Sequence, residues 1–536
     1  MAQSLKELPG NLRAVLENTK PIATTINGRL PLFVLPISGS LSSLPDGQAE
    51  KVLNDLAKRG IGYSVNWNHG SFDASLKEGL RIGELQQRLG RMVSVHATGC
   101  LYSFFDGTEK TQHIDAAGRP FGETSFGGTM GCPFALEHRI PVIRQRVEAF
   151  LKQYKAAGVD VDFIFADWEI DGPIEWNDAW ASSKRCRRCR EHVPDIHDFR
   201  SFQTKLREVR SRLQREAFSD NVTRYFPEAL VGNYAVYPHN GHRYWYDYFE
   251  RETPDAPAMT DQRARYREWA HEFEPCGYTF AMPVVYTWYP TFGWYDFEPK
   301  DYRWFYNMLL VASNAGQHTS RQTPIIPFVH WHTTAPPDNP DPSVEQFSRE
   351  NYQELLWHTL LRGHDTFFLW CTGPELATEI QLVHEVYRDS LNYSGFIKRG
   401  VPVQFEVPSR PGPVVSGLRL GNRVLARRTG FGTETGNETL ALAGGGEVSV
   451  AAKRGMQILT VEQTPGHPGI LTDHNGRLRF PIGSYEFPGD REKLRRMAES
   501  GINLVRCGNR DALDLAHEQG MMGWVPLSVQ QGATPG

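Results

Sequence analysis

Asp167 and Glu169 end an apolar run, Val161-Asp162-Phe163-Ile164-Phe165-Ala166, with only Trp168 between them. Alternate side chains of a strand face the same way, so the two carboxyls are expected to project together from one strand end, about 6 to 7 Å apart along the backbone. Paired acids in that position suit sugar chemistry, in which one carboxyl gives up a proton while its neighbour stays charged. Desolvation under Trp168 and the charge of Asp167 would hold up the pKa of Glu169, which makes it the general acid.

A strand that presents acids in this way needs a scaffold. Stretches of β-forming residues at 32–37, 61–67, 92–97, 161–169, 229–236, 279–286, 323–331 and 366–371 alternate with helical patterns at 47–59, 74–89, 139–157, 199–216, 302–312, 344–361 and 375–389. This order predicts an α/β fold, a (β/α)8 TIM barrel with enlarged loops on one face. The alternative, a doubly wound open sheet, would carry a Gly-rich phosphate loop after its first strand, and the sequence shows none. About forty residues separate the third strand from its helix, far above the usual length for such a connection and more often functional than accidental.

In a barrel, function collects at the C-terminal ends of the strands. Those ends present Trp67, His96, Asp167, Trp168, Glu169, Asn233, Tyr234, Tyr237, Tyr286, Trp288, His330, Trp331, His332 and Trp370. The seventh strand, Phe328-Val329-His330-Trp331-His332, carries no acid, so a nucleophile must come from elsewhere. A 2-acetamido group on the substrate can supply it. Asp167 would then accept the amide N–H and stabilise the developing oxazolinium. Tyr286, with Tyr234, would donate to the acetamido oxygen, and Trp370 would form the floor of the sugar subsite. The alternatives are conventional chemistry on a non-acetylated, anionic polysaccharide, with Asp171, Asp296 or Glu298 as partner to the acid, and a non-catalytic glycan-binding barrel.

Asp167-Trp168-Glu169 resembles the Asp-x-Glu signature of the substrate-assisted glycosidases of the hyaluronidase-like and chitinase-like families. Asp162 stands where the chitinase motif has its first Asp, whereas Phe165 replaces the middle one. Met282-Pro283-Val284-Val285-Tyr286 resembles the chitinase-like sixth strand, and Phe367-Phe368-Leu369-Trp370 resembles the eighth, which ends in the sugar-platform Trp. The resemblance spans residues 31–390 and implies a retaining glycoside hydrolase acting on an N-acetylhexosamine-containing glycan.

After the barrel, assigned to residues 1–395, short alternating segments separated by Gly or Pro predict a small antiparallel, sandwich-like β domain at 396–470. Residues 471–536 read as a partial α/β segment. Arg477-Leu478-Arg479-Phe480-Pro481-Ile482-Gly483 and Met497 to Arg506 resemble the opening units of β-galactosidase-like and β-mannosidase-like barrels. Two and a half units cannot close a barrel.

A formal net charge of −4 offers no nucleic-acid footprint. No apolar segment is long enough to span a bilayer, so the expected partner is an oligo- or polysaccharide. The first ten residues lack the features of a secretory signal, and 7 scattered Cys fit a reducing compartment. The expectation is cytoplasmic, or periplasmic or secreted if the N-terminus is truncated. Cys186 and Cys189, followed by His192, supply half of a zinc site. Two reduced thiols in a basic loop are the expectation, with Cys100 and Cys132 completing a metal site only if the third-strand excursion folds over this loop. Phosphate-loop, dinucleotide and HExxH motifs do not occur, which predicts chemistry without a cofactor.

Overall fold

The computed structural model describes residues 7–23, 26, 28–125, 128–168, 180–242, 271–286, 300–331, 345–432, 435–443, 446–461 and 480–525. The chain divides into two compact units, 1–438 with 450–459, and 439–449 with 460–536.

Among the described residues of the first unit, eight short parallel strands form two four-stranded sheets. One orders Ser64–Asn68, Ser94–Ala97, Phe163–Ala166 and Leu230–Asn233; the other orders Phe33–Val34, Phe368–Leu369, Phe328–Val329 and Val284–Val285. Backbone hydrogen bonds join the sheets at both seams. Leu32 N–H donates to Gly60 O (2.9 Å) and Gly62 N–H to Leu32 O (2.9 Å), while Thr279 N–H donates to Val231 O (2.9 Å) and Met282 N–H to Val236 O (3.0 Å). Neighbouring strands thus follow chain order, with strand eight beside strand one, and the arrangement is TIM-barrel-like.

Strand alternation sorts the side chains into two cores. Phe33, Phe163, Phe165, Phe280, Met282, Val284, Ile326, Phe328 and Phe368 pack together inside the strands. Phe33 stacks on Phe163 at 4.2 Å, and Phe163 on Phe280 at 5.1 Å. Ile164, Ala166 and Trp168 belong instead to the larger core that includes the buried helix faces. The helix at Ile140–Ala156 starts with a Pro in its first turn, where a missing N–H costs nothing, and buries Ile143, Val147, Phe150, Leu151 and Tyr154 on one face. Gly79 lets a neighbouring helix lie against Tyr154, because a Cβ there would stand 2.4 Å from Tyr154 Oη. The helix at Phe199–Gln214 is capped by Asp198, which accepts from Ser201 N–H at 2.9 Å.

Residues 401–460 contribute a four-stranded antiparallel-containing sheet, Val401–Pro402, Val414–Leu420, Arg423–Thr429 and Gln457–Thr460. It is fixed to the helix at Arg349–Leu361 by buried polar contacts. His358 bonds Ser416 Oγ (2.8 Å) and Thr429 Oγ1 (3.0 Å), Arg362 donates to Phe405 O (2.7 Å) and Glu406 O (2.9 Å), and Arg427 forks onto Glu354 with two contacts of 2.6 Å. Residues up to 438 share a compact unit with the parallel strands.

The second unit contains a parallel sheet of Gly483–Ser484, Leu504–Arg506 and Met522–Trp524 with helices Arg491–Glu499 and Arg510–Glu518. Leu494, Val505, Cys507, Ala512, Ala516 and Met521 make its core. Asp490 and Asn509 cap the two helices.

Candidate functional site

Asp167 continues the inward row of Phe163 and Phe165 and is half-buried just past the end of the fourth strand. Its backbone is held from the third-strand side. Asp167 N–H donates to Thr98 Oγ1 (2.7 Å), and Tyr102 Oη donates to Asp167 O. Thr98 Oγ1 also lies 2.6 Å from His96 Nε2, and His96 Nδ1 lies 3.2 Å from Asn66 Oδ1. In the neutral ring Asn66 Oδ1 accepts from Nδ1–H and the Thr98 hydroxyl donates to Nε2. Desolvation favours the neutral form and lowers the His96 pKa to about 4.

The turn after Tyr102 is strained. Ser103 has φ 74°, a conformation L side chains rarely adopt, and Arg139 holds it by donating to Ser103 O (2.7 Å) and Phe104 O (3.1 Å). Ala235, directly after Tyr234, has φ 60°.

An aromatic lattice connects this corner to the far strands. Phe165 stacks on His96 (5.3 Å) and meets Phe328 (5.9 Å), which touches Tyr234 (5.6 Å), Tyr286 (6.2 Å) and Trp370 (6.5 Å). Tyr234 Oη and Tyr286 Oη are 3.0 Å apart, and Tyr286 stacks on Trp370 at 5.5 Å. The structure thus brings His96, Tyr234, Tyr286 and Trp370 onto the lattice that Asp167 continues.

His330 joins the lattice edge-on to Trp370 (4.7 Å) but is itself fully buried. Its Nδ1 donates to Glu379 Oε2 (2.8 Å), and Glu379 Oε1 accepts from Trp331 N–H (2.6 Å) and Tyr352 Oη (3.1 Å). Burial raises the Glu379 pKa, against the opposing pull of these donors. Sequence reasoning missed Glu379 because it lies on the helix at Leu376–Ser390, where an acid ordinarily faces solvent. Thr98 and Tyr102 were missed as well, since neither their residue types nor their spacing marks a site.

Several expected lining residues are placed away from the aromatic rim or beyond the described residues. Trp67 faces the helix layer, stacked on Phe150 (5.0 Å) and edge-on to Tyr154 (5.0 Å), because alternation leaves Asn66 and Asn68 exposed on the opposite side of the strand. Trp168 is likewise buried in the helix-side core, against Phe104 (5.0 Å) and under Arg210. Tyr237 is buried in the same core. Asn233 is a buried support: its Oδ1 accepts from Trp168 N–H (3.0 Å) and its Nδ2 donates to Gln214 (2.8 Å). Trp331 is half-buried, with Nε1 donating to Phe347 O (2.9 Å). Glu169, Trp288 and His332, like Asp171, Asp296 and Glu298, lie outside the described residues.

Behind Trp168, Arg210 and Arg207 converge on the buried Glu272 at 2.7 and 3.8 Å. In the basic loop, Arg188 donates to Lys110 O and Gln112 O rather than standing open to an anionic ligand. His192 donates to Arg188 O (2.8 Å) and stacks on Phe134, away from Cys186 and Cys189. A cavity of about 470 Å³ lined by Arg29, Leu53, Tyr63, Gln86 and Met92 opens near the starts of the strands, opposite the end that carries Asp167.

No family model and no curated protein sequence matches the chain. Among solved structures it is similar to the GH36 α-galactosidase AgaB from Geobacillus stearothermophilus, with 11% identity, TM-score 0.41, and coverage of 84% of this chain and 59% of that one. It is also similar to isomaltulose synthase from Erwinia rhapontici NX5, with 11% identity, TM-score 0.36, and coverage of 82% and 100%. A cyclomaltodextrinase matches at 10% identity and TM-score 0.35, covering 83% and 79%. The chain thus spans well under two thirds of the α-galactosidase's length. Likeness at this level assigns neither an activity nor a substrate. Among the described residues no helix is long and apolar enough to cross a membrane.

Proposed function

We propose that the chain is a glycoside hydrolase built on a (β/α)8 barrel, with its active site at the C-terminal strand ends. The observation that carries this reading is the placement of Asp167 as the next inward-facing residue after Phe163 and Phe165, beside a rim of aromatic hydroxyls and rings. Glu169 keeps the parity of Asp167 in the sequence. The domain division that accompanies this proposal is a catalytic barrel to residue 395, an all-β segment at 396–470 and a partial α/β segment at 471–536.

In the finer form of the proposal the substrate carries a 2-acetamido sugar. Glu169 protonates the leaving oxygen as the bond to the anomeric carbon breaks, and the acetamido oxygen forms a new bond to that carbon. Asp167 accepts the amide N–H and balances the positive charge of the ring that forms. Each Tyr hydroxyl donates one hydrogen bond and accepts others, so Tyr234 donating to Tyr286 orients Tyr286 to donate to the acetamido oxygen. Trp370, stacked on Tyr286, forms the floor of the sugar subsite. Water then opens the ring, giving its proton to Glu169 and restoring the starting state with retention.

Wild type, Glu169→Gln and Asp167→Asn are to be assayed on N-acetylated and non-acetylated glycans. Hydrolysis confined to N-acetylated sugars and lost in both variants is expected. Activity that survives loss of Glu169 would overturn the acid assignment. Activity only on sugars without the acetamido group would overturn substrate assistance and favour conventional chemistry. Binding without hydrolysis would leave a glycan-binding barrel.

A further inference from the structure

Four potential ligand atoms, from His113, Cys132, Cys186 and Cys189, lie within 4.8 Å of one another, and all four residues are buried. Cys132 Sγ is 3.4 Å from Cys189 Sγ and 3.9 Å from Cys186 Sγ, and Cys189 Sγ is 3.8 Å from His113 Nδ1. Around a tetrahedral zinc ion, with bonds of about 2.3 Å to sulfur and about 2.0 Å to nitrogen, sulfurs stand about 3.8 Å apart and sulfur and nitrogen about 3.6 Å apart. The three spacings of 3.4, 3.9 and 3.8 Å lie within about 0.4 Å of those values. A disulfide needs sulfurs about 2.05 Å apart and would join only two of the three thiols.

The surrounding chain is shaped to bring the four together. His113 lies on the short strand His113–Ile114, Cys132 directly precedes the turn at Pro133–Ala135, and Cys186 and Cys189 open the helix at Arg187–His192. Gly131 permits the approach of Cys132: a Cβ there would lie 2.1 Å from Thr111 O, and Cys132 N–H donates to that same oxygen at 2.8 Å. Ile114 N–H points at Cys186 Sγ from 3.4 Å, as suits a thiolate. Phe121 stacks on the His113 ring at 5.0 Å.

We propose that His113, Cys132, Cys186 and Cys189 bind one zinc ion in a closed Cys3His site. Three thiolates with an imidazole favour zinc among the divalent ions, and four protein ligands leave no open position, which makes the site structural. Binding releases the three thiol protons. The single negative charge left on the ion and its thiolates falls within a basic stretch of the sequence, Lys184, Arg185, Arg187, Arg188 and Arg190. The ion would staple the excursion after the third strand to the segment after the fourth. Tyr102 and Phe104 of that excursion touch Asp167 and Trp168, so the staple also steadies the chain at those two residues. The site stands independently of the hydrolase reading.

The test uses the full chain expressed in zinc-supplemented medium, freed of loose metal by gel filtration and analysed by inductively coupled plasma mass spectrometry. One zinc per chain is expected, retained in His192→Ala and lost in Cys132→Ser and in His113→Ala. Cobalt exchanged into the wild type should give the thiolate charge-transfer bands and intense d–d absorption of a tetrahedral site. That spectrum keeps the proposal testable if the ligand variants fail to fold. Wild type that carries no stoichiometric zinc with its cysteines titrating as free thiols, or a Cys132–Cys189 disulfide by mass spectrometry, would overturn it.

Discussion

Replacing Glu379 by Gln tests whether a buried carboxylate orients the strand-end aromatics. Glu379 receives His330 Nδ1–H on Oε2 and both Trp331 N–H and Tyr352 Oη on Oε1. Gln keeps an oxygen for the last two but turns an NH2 toward His330, where two donors meet. The imidazole can resolve this only by moving its proton to Nε2, which stands 3.9 Å from Glu375 Oε2. The charge-assisted bond lost is worth about 1.5–3 kcal/mol, and we expect a loss of that order in stability. Glu379→Ala would strand all three donors at about 1–3 kcal/mol each, a sum comparable with the about 5–15 kcal/mol that stabilises a whole domain. The Gln variant is therefore the informative one. Urea unfolding should show a lower midpoint at unchanged slope, and nitrogen NMR should show His330 protonated at Nε2 instead of Nδ1. Unfolding within about 0.5 kcal/mol of wild type, the spread of neutral surface changes, with Nδ1 still protonated would refute the reasoning.

Three further expectations follow from the same geometry. Thr98→Val keeps the shape but strands Asp167 N–H and His96 Nε2. It should cost about 1–3 kcal/mol in thermal unfolding, with Thr98→Ser restoring the stability and any glycan hydrolysis lost with it. Glu272→Ala leaves Arg207 and Arg210 buried without their shared carboxylate, and should destabilise by about 3–5 kcal/mol in denaturant titration; a change under about 1 kcal/mol would show that the guanidinium groups find other partners. Burial lowers the pKa of His384 to about 4 and of His364 to about 3. Their folded pKa values lie below the unfolded value of about 6.5, so the unfolded chain binds more protons under that pH. Stability is then fully present above about pH 6.5 and falls on acidification by up to about 1.4 kcal/mol per pH unit for each such histidine. His384→Gln, which keeps a donor for Arg59 O, should flatten the pH slope of urea midpoints between pH 6.5 and 4, and an unchanged slope would sink the assignment.

The elements were legible because period and punctuation agreed with tertiary need. The helix expected at 139–157 runs over Ile140–Ala156, and the one expected at 375–389 over Leu376–Ser390. Strand lengths were less legible. Segments of nine residues at 323–331 and eight at 279–286 reduce to the pairs Phe328–Val329 and Val284–Val285. Prolines account for much of this: Pro324, Pro327 and Pro283 cannot donate to a ladder, although their carbonyls still accept from Ala281, Phe368 and Phe328. Apolar β-forming composition marks burial along the whole stretch, whereas pairing needs donors at particular positions.

The site was legible where parity alone decided the matter, and illegible where loops did. Asp167 follows from counting two residues past Phe165. The same count, applied to Ser64–Asn68, would have turned Trp67 away from the strand-end rim, so residue type outweighed position in naming it. The cysteine pair is the sharper case. Cys-x-x-Cys followed by a nearby His suggested His192 as the local third ligand, yet a helix beginning at Arg187 sends that ring along its own turn to Arg188 O. His113 and Cys132, more than fifty residues upstream, instead reach the two sulfurs through a fold-back that Gly131 alone can make so tight. Sequence spacing constrains ligands within one helix or hairpin, but a site that joins two excursions is fixed by the scaffold that aims them. Here that scaffold is the adjacent pair of third and fourth strands, which bring the two excursions out side by side.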